Sequence, residues 1–155
     1  MHGLSAKELS CRFPEKWCMA EILEHLYLTY TGTIKGFSRV LASDKAQGNA
    51  PTLRQRLRAF VVTGVGYFPN GVKSPPVAIP FGLRSEKAIA EIGLKIAEMD
   101  EIMSRCAARF GAHEKVLDHP VLGPFSVSQW RKFHLVHGRH HIRQIRCLRS
   151  ESQKD

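Results

Sequence analysis

The chain is short of acid. Its 155 residues carry 14 Asp and Glu against 23 Lys and Arg, a formal charge of +9 with a pI near 9.7. That balance admits nucleic acid, anionic small molecules or anionic surfaces as partners and says nothing of fold. Long apolar runs are missing as well. The most apolar stretch, 59-AFVVTGVGYF-68, falls short of the roughly 20 residues a membrane span needs, and the opening MHGLSAKELSCRF has no extended apolar segment of the secretory kind. A soluble, cytoplasmic protein without a membrane partner is expected. Cys11, Cys18, Cys106 and Cys147 show neither a C-x-x-C pair nor zinc-ribbon spacing, so no disulfide framework or thiolate metal site is indicated. There is also no alternating strand pattern and no internal repeat. With 43% hydrophobic residues the chain suffices for one domain with a real core, 1–155, and is too short for two.

What is present is helical periodicity. Pro14 stands just before a pattern running to about Leu41, in which Cys18, Ile22, His25, Thr29, Thr33, Gly36 and Val40 share one side, with Leu26 and Phe37 on its shoulder. A second helix opens at the capping box 52-TLRQ-55 and runs to about Tyr67, its Arg54, Arg56 and Arg58 solvated, until 69-PNG-71 breaks it. Residues 69–84 contain four prolines and are expected to form an irregular crossover bordering the mouth of any site. Ser85 is expected to cap a third helix in which Ile89, Ile92, Ile96, Met99, Met103 and Cys106 recur by threes and fours until Gly111. After a second irregular piece, 113–125, Ser126 and Gln129 form a capping box, and Phe125 and Trp130 form a hydrophobic staple. The final helix therefore begins near Val127. Together these patterns predict an all-α, antiparallel four-helix bundle with long irregular crossovers, its core spanning about 14–148.

The final helix carries 134-HLVHGRHHIRQ-144. Trp130, Phe133, His134, His141, Gln144 and Leu148 lie within about 60° of His137, whereas Lys132, Arg139, Arg143 and Arg146 cluster opposite. The arginines mark the wet face and the histidines point inward. Buried imidazoles cost roughly 1–3 kcal/mol each unless bonded or ligated. His137 and His141, spaced i, i+4, stand about 6 Å apart along one face and can converge on one ion. The histidine on the core stripe of another helix is His25, so a three-imidazole divalent site with an open coordination position is expected at His25, His137 and His141. A single core histidine is ordinarily just hydrogen-bonded. The trio outweighs that reading. His134 faces inward one turn earlier, as a fourth ligand or an outer donor, and His140 is turned to the rim. Gln144 suits a hydrogen bond to a ligand or serves as core filler, and Glu21 is an orienting group, a base or a solvated carboxylate.

These residues resemble a known group. Trp17, Glu21 and His25 in the first helix, His119-Pro120 with Gly123, Ser126 and Trp130, and the closing His137, His140-His141 and Gln144 are similar to the DinB-like/YfiT-like superfamily of metal-binding four-helix bundles. The likeness covers about residues 14–148 and rests on the two ends of the chain. It implies an up-down-down-up bundle, frequent homodimers, and zinc, nickel or iron held by His25, His137 and His141. It also implies chemistry on low-molecular-weight thiols or their adducts. The Pro-rich 69–84 segment and the basicity depart from a plain member.

Two functions are then expected to compete. In the first, the chain is a metal-dependent enzyme for thiol transfer or hydrolysis of a small molecule, because the three-histidine ion can lower the pKa of a thiol or water. In the second it is a non-catalytic, stress-related binding protein with a structural metal and a basic surface. The basic residues lack aromatic interleaving and any reading motif, which argues against nucleic acid as the partner and for a solvated face.

Overall fold

The computed structural model describes residues 5–69, 71–83 and 85–152. It is mainly α-helical, with one small sheet. A short helix α1 (Ala6–Ser10) precedes the long α2 (Met19–Ser43). Helix α3 (Leu53–Ala59) continues into a π-helical turn, Phe60–Val65, and α4 (Ser85–Phe110) is followed by a hairpin of β1 (Lys115–His119) and β2 (Gly123–Ser126). Helix α5 (Val127–Ser152) comes last. Among the described residues no helix is long and apolar enough to cross a membrane.

Helix α2 starts later than Pro14 suggests. Pro14 lies in a turn closed by the Lys16 amide on the Phe13 carbonyl, and the helix is capped at Cys18, whose amide donates to Glu21 at 2.8 Å. Glu21, also held by Arg12 at 3.0 Å, is thus a capping carboxylate. The buried face of α2 is wider than the predicted stripe, because α4, α5 and the Pro-rich segment all pack on it: Met19, Leu23, Glu24, Tyr30 and Ile34 are sealed as well. In α4 the buried stripe is Ala88, Ile92, Met99, Ile102, Met103 and Cys106, and Ile96 faces solvent. Ser85, the expected cap, is the first residue of α4, and its side chain lies outside what is described.

The Thr52 capping box forms as predicted, with the Gln55 amide 3.2 Å from Thr52 Oγ1. The helix does not run to Tyr67. It widens into a π turn at Phe60 and stops at Gly66, which adopts φ +79°, a conformation that favours glycine. Leu53, Leu57 and Phe60, which keep helical spacing, face solvent with Arg54, Arg56 and Arg58. Residues 71–83 are irregular as expected, apart from one tight 3₁₀ turn at Pro76–Ala78.

The stretch 113–125 is not irregular throughout, contrary to the sequence reading. Its strands are only five and four residues long and expose no clean two-residue alternation, so periodicity could not reveal them. Local chemistry builds them. Gly123 reverses the chain at φ +82°, and the Gln47 and Gly48 amides dock on the carbonyls of Val116 and Lys115. A Cβ at Gly48 would stand 2.3 Å from the Lys115 oxygen, so only glycine permits that approach. The hairpin delivers the chain to α5, where Ser126 and Gln129 bond reciprocally at 3.2 and 3.3 Å and Phe125 meets Trp130 edge-on.

A candidate metal centre between the first long helix and the last

Helix α5 turns Val127, Trp130, Phe133, His134, His137, His141, Ile145 and Leu148 inward and leaves Lys132, Arg139, Arg143 and Arg146 exposed, the division its periodicity predicts. His25, midway along the buried face of α2, meets this row. Its Nε2 lies 3.1 Å from His137 Nε2, which lies 2.9 Å from His141 Nε2. All three residues are buried, and the cluster can hold a metal ion. Trp17 packs against His25, while Phe133 stacks on His137 and Phe68 leans on it. These rings give the cluster an aromatic surround.

The outer nitrogens decide which tautomers point inward. His25 Nδ1–H donates to the Ala78 carbonyl at 2.8 Å, with Ser74 Oγ a longer second acceptor at 3.3 Å. His141 Nδ1–H donates to Gln144 Oε1 at 2.7 Å. Each ring therefore carries its lone pair on Nε2, aimed at the centre of the cluster. Facing lone pairs repel. The arrangement calls for a cation, or for a proton supplied by His137, between them. His137 Nδ1 is buried without a hydrogen-bond partner, so its ring is oriented by the cluster and by stacking alone. Burial, followed by the neighbouring imidazoles, pushes His141 down to about 4 and His137 well below its ordinary value; burial likewise lowers His25 against the opposing Ala78 bond. The rings stay neutral at physiological pH, as ligands must be.

The other sequence-predicted residues fall into place around this centre. His134 is not in the cluster. Thr33 donates its hydroxyl to the Thr29 carbonyl and accepts from His134 Nε2–H at 3.1 Å, leaving His134 Nδ1 sealed and unpartnered. His140 sits half-buried at the rim against Phe68. Gln144 is exposed rather than core filler, yet it reaches His141. Glu24 was missed. Its carboxylate, 2% exposed, accepts from the amides of Phe81 at 2.9 Å and Gly82 at 3.1 Å, so two consecutive residues of α2 anchor the Pro-rich segment over the cluster. No periodicity signals this, because Glu24 lies off the apolar stripe and is covered only by a segment without regular structure.

A cavity of about 1760 Å³ adjoins the cluster, walled by apolar side chains that include Trp17, Val62, Phe68 and Phe133. His25, His137 and His141 open onto it, and Pro69 with residues from 71–79 forms part of its wall, which places the proline segment at the site as the sequence suggests. Comparison with protein families, with curated proteins and with solved structures finds no match for this chain.

Proposed function

We propose that this chain is a divalent-metal-binding, antiparallel four-helix bundle of the DinB-like type, α2, α3 with its π turn, α4 and α5 being the four helices. We further propose that it is a metal-dependent enzyme acting on a small molecule by thiol transfer or hydrolysis. The observation that carries this reading is the convergence of three imidazole Nε2 atoms, two of them held as ligand tautomers by Ala78 and Gln144. An all-imidazole set suits zinc, nickel or iron, and three ligands leave a coordination position free. When bound, such an ion supplies Lewis-acid polarisation and lowers the pKa of a thiol or water that reaches it.

The chain's own residues do the rest. Ala78 and Gln144 orient two ligands, Trp17, Phe68 and Phe133 give the cluster its aromatic surround, and Glu24 keeps the proline segment in place. The adjoining cavity favours chemistry over a purely structural ion, since a structural site has no use for an accessible apolar chamber.

The test is elemental analysis of protein made without a histidine tag, alongside His25→Ala, His137→Ala and His141→Ala. Each variant is expected to lose tightly bound metal, and a strong chelator is expected to lower the melting temperature of the wild type while leaving His25→Ala unmoved. Metal-free protein that stays inert to zinc, nickel, iron and manganese would overturn the reading.

A further inference from the structure

Apart from the cluster, one imidazole on the cavity wall has its proton placed by the backbone. His119 ends β1, and its Nδ1 accepts from the amides of Val121 and Leu122, each at 3.1 Å. A nitrogen that accepts two N–H bonds carries a lone pair, so the ring is neutral and its proton sits on Nε2. Phe133, Trp130 and Phe125 surround the ring at centroid distances of 4.5, 5.3 and 5.6 Å. Among the described residues Nε2–H has no protein acceptor, yet it is not one of the sealed, unpartnered nitrogens, and His119 lines the cavity. It is a fixed donor set among apolar rings. Such a donor is satisfied only by water or by a ligand.

Positive charge lines the same cavity. Lys35 and Arg39, one turn apart on α2, supply it, and neither has an ion-pair partner among the described residues. Gly36 between them lets Leu117, two residues from His119, close on the helix backbone, for a Cβ there would meet Leu117 Cδ2 at 2.6 Å. The nearest acid on β1, Asp118, is occupied by the backbone amide of Asn49 at 3.0 Å and by the Asn49 side chain. An apolar chamber, a neutral N–H donor and two unpaired cations together describe a ligand with an apolar body and an oxyanion.

We propose that the cavity binds a largely apolar small carboxylate, and that His119 donates its Nε2–H to that carboxylate while Lys35 and Arg39 supply the countercharge. Nothing here requires the three-histidine cluster to hold an ion. His119 is a ligand-binding residue in its own right.

His119→Asn is the discriminating variant. The Asn Oδ1 takes the position of Nδ1 and accepts both amides, as in an Asx turn, but the side chain is too short to place a donor where Nε2–H stands. The probe is 4-phenylbutyrate, with 4-phenylbutanol as the uncharged comparator, titrated by calorimetry against metal-depleted and zinc-supplemented protein. Wild type is expected to bind the carboxylate and not the alcohol, with the His119 Nε2 resonance shifting in nitrogen NMR. His119→Asn should bind at least about tenfold more weakly, in keeping with the loss of one hydrogen bond to a charged group. Lys35→Ala with Arg39→Ala should weaken binding similarly, and metal content should be unchanged in all of them. Equal binding by His119→Asn, equal binding of the alcohol, or no binding by wild type would overturn the proposal. Should His119→Asn fail to fold, an unmoved His119 resonance in saturated wild type would overturn it as well. Failure of the metal reading shows separately, as cluster variants and wild type alike free of metal while phenylbutyrate still binds.

Discussion

The Glu24 carboxylate and the Phe81 amide are joined at 2.9 Å across 57 residues of chain, one position away from the imidazole that grips Ala78. The proline segment is therefore held at two adjacent points of α2 rather than merely draped over it. Replacing Glu24 by alanine leaves the Phe81 and Gly82 amides without their acceptor and is expected to cost about 3 kcal/mol. That is roughly 6–12 °C in Tm for a chain of this size. Amide exchange across residues 71–83 should accelerate in the same variant, and Glu24→Gln, which keeps one acceptor, should show a smaller effect. A segment whose exchange is unchanged in Glu24→Ala would show that the anchor lies elsewhere.

Gln144 is exposed, so its truncation disturbs little packing and isolates its bond to His141. Gln144→Ala is expected to weaken zinc binding by about 10- to 100-fold without a matching loss of stability, the usual effect of removing the partner that orients a ligating histidine. His140→Ala, at the rim, should leave affinity within a factor of about two. Competition with a chromophoric chelator measures both, and equal losses in the two variants would mean that the bond between Gln144 and His141 does not tune the site.

Burial pushes His119 to about 4 and His134 to about 3, below the ordinary value of 6.5 that each takes in the unfolded chain. The unfolded state thus binds protons first as pH falls. Stability is full above about pH 6.5 and declines as pH falls below it, levelling off near 4 for His119 and near 3 for His134, where each folded ring also protonates. The full decline is on the order of 3 kcal/mol for His119 and 5 kcal/mol for His134. Urea unfolding of metal-depleted protein between pH 4 and 7.5 should show the slope, and a flat profile would sink the assignment of neutral buried rings.

Thr33 passes one hydrogen bond through its hydroxyl, giving to Thr29 and receiving from His134. Thr33→Val keeps the shape but leaves His134 with neither nitrogen satisfied, at a cost of about 2 kcal/mol. Thr33→Ser should recover most of it. Metal content should be equal in wild type and both variants, since His134 stands outside the cluster; loss of metal from Thr33→Val would bring His134 back as a ligand.

The cluster is legible in the sequence because helical periodicity alone puts His25 on the buried side of α2 and His137 with His141 on the buried side of α5. Gln144 follows from the same geometry. Capping chemistry likewise locates the starts of α3 and α5 at Thr52 and Ser126. Periodicity is silent where the backbone is irregular or the element is short. The hairpin, Glu24's grip on Phe81 and Gly82, and the double acceptance by His119 all depend on contacts between regular and irregular chain. The wide π turn at Phe60 replaces a predicted α-helical stretch, since a glycine-rich end weakens the case for continuing the tighter turn.

His25 and His137 are 112 residues apart in the chain, and their contact has a consequence in time. A ribosome adding about 5–20 residues per second produces the second of them roughly 6–22 s after the first. Throughout that interval the first half of the pocket exists with its counterpart unmade. Any ion the cluster takes must be chosen by a finished fold, after synthesis has passed residue 141, from whatever the surroundings then offer.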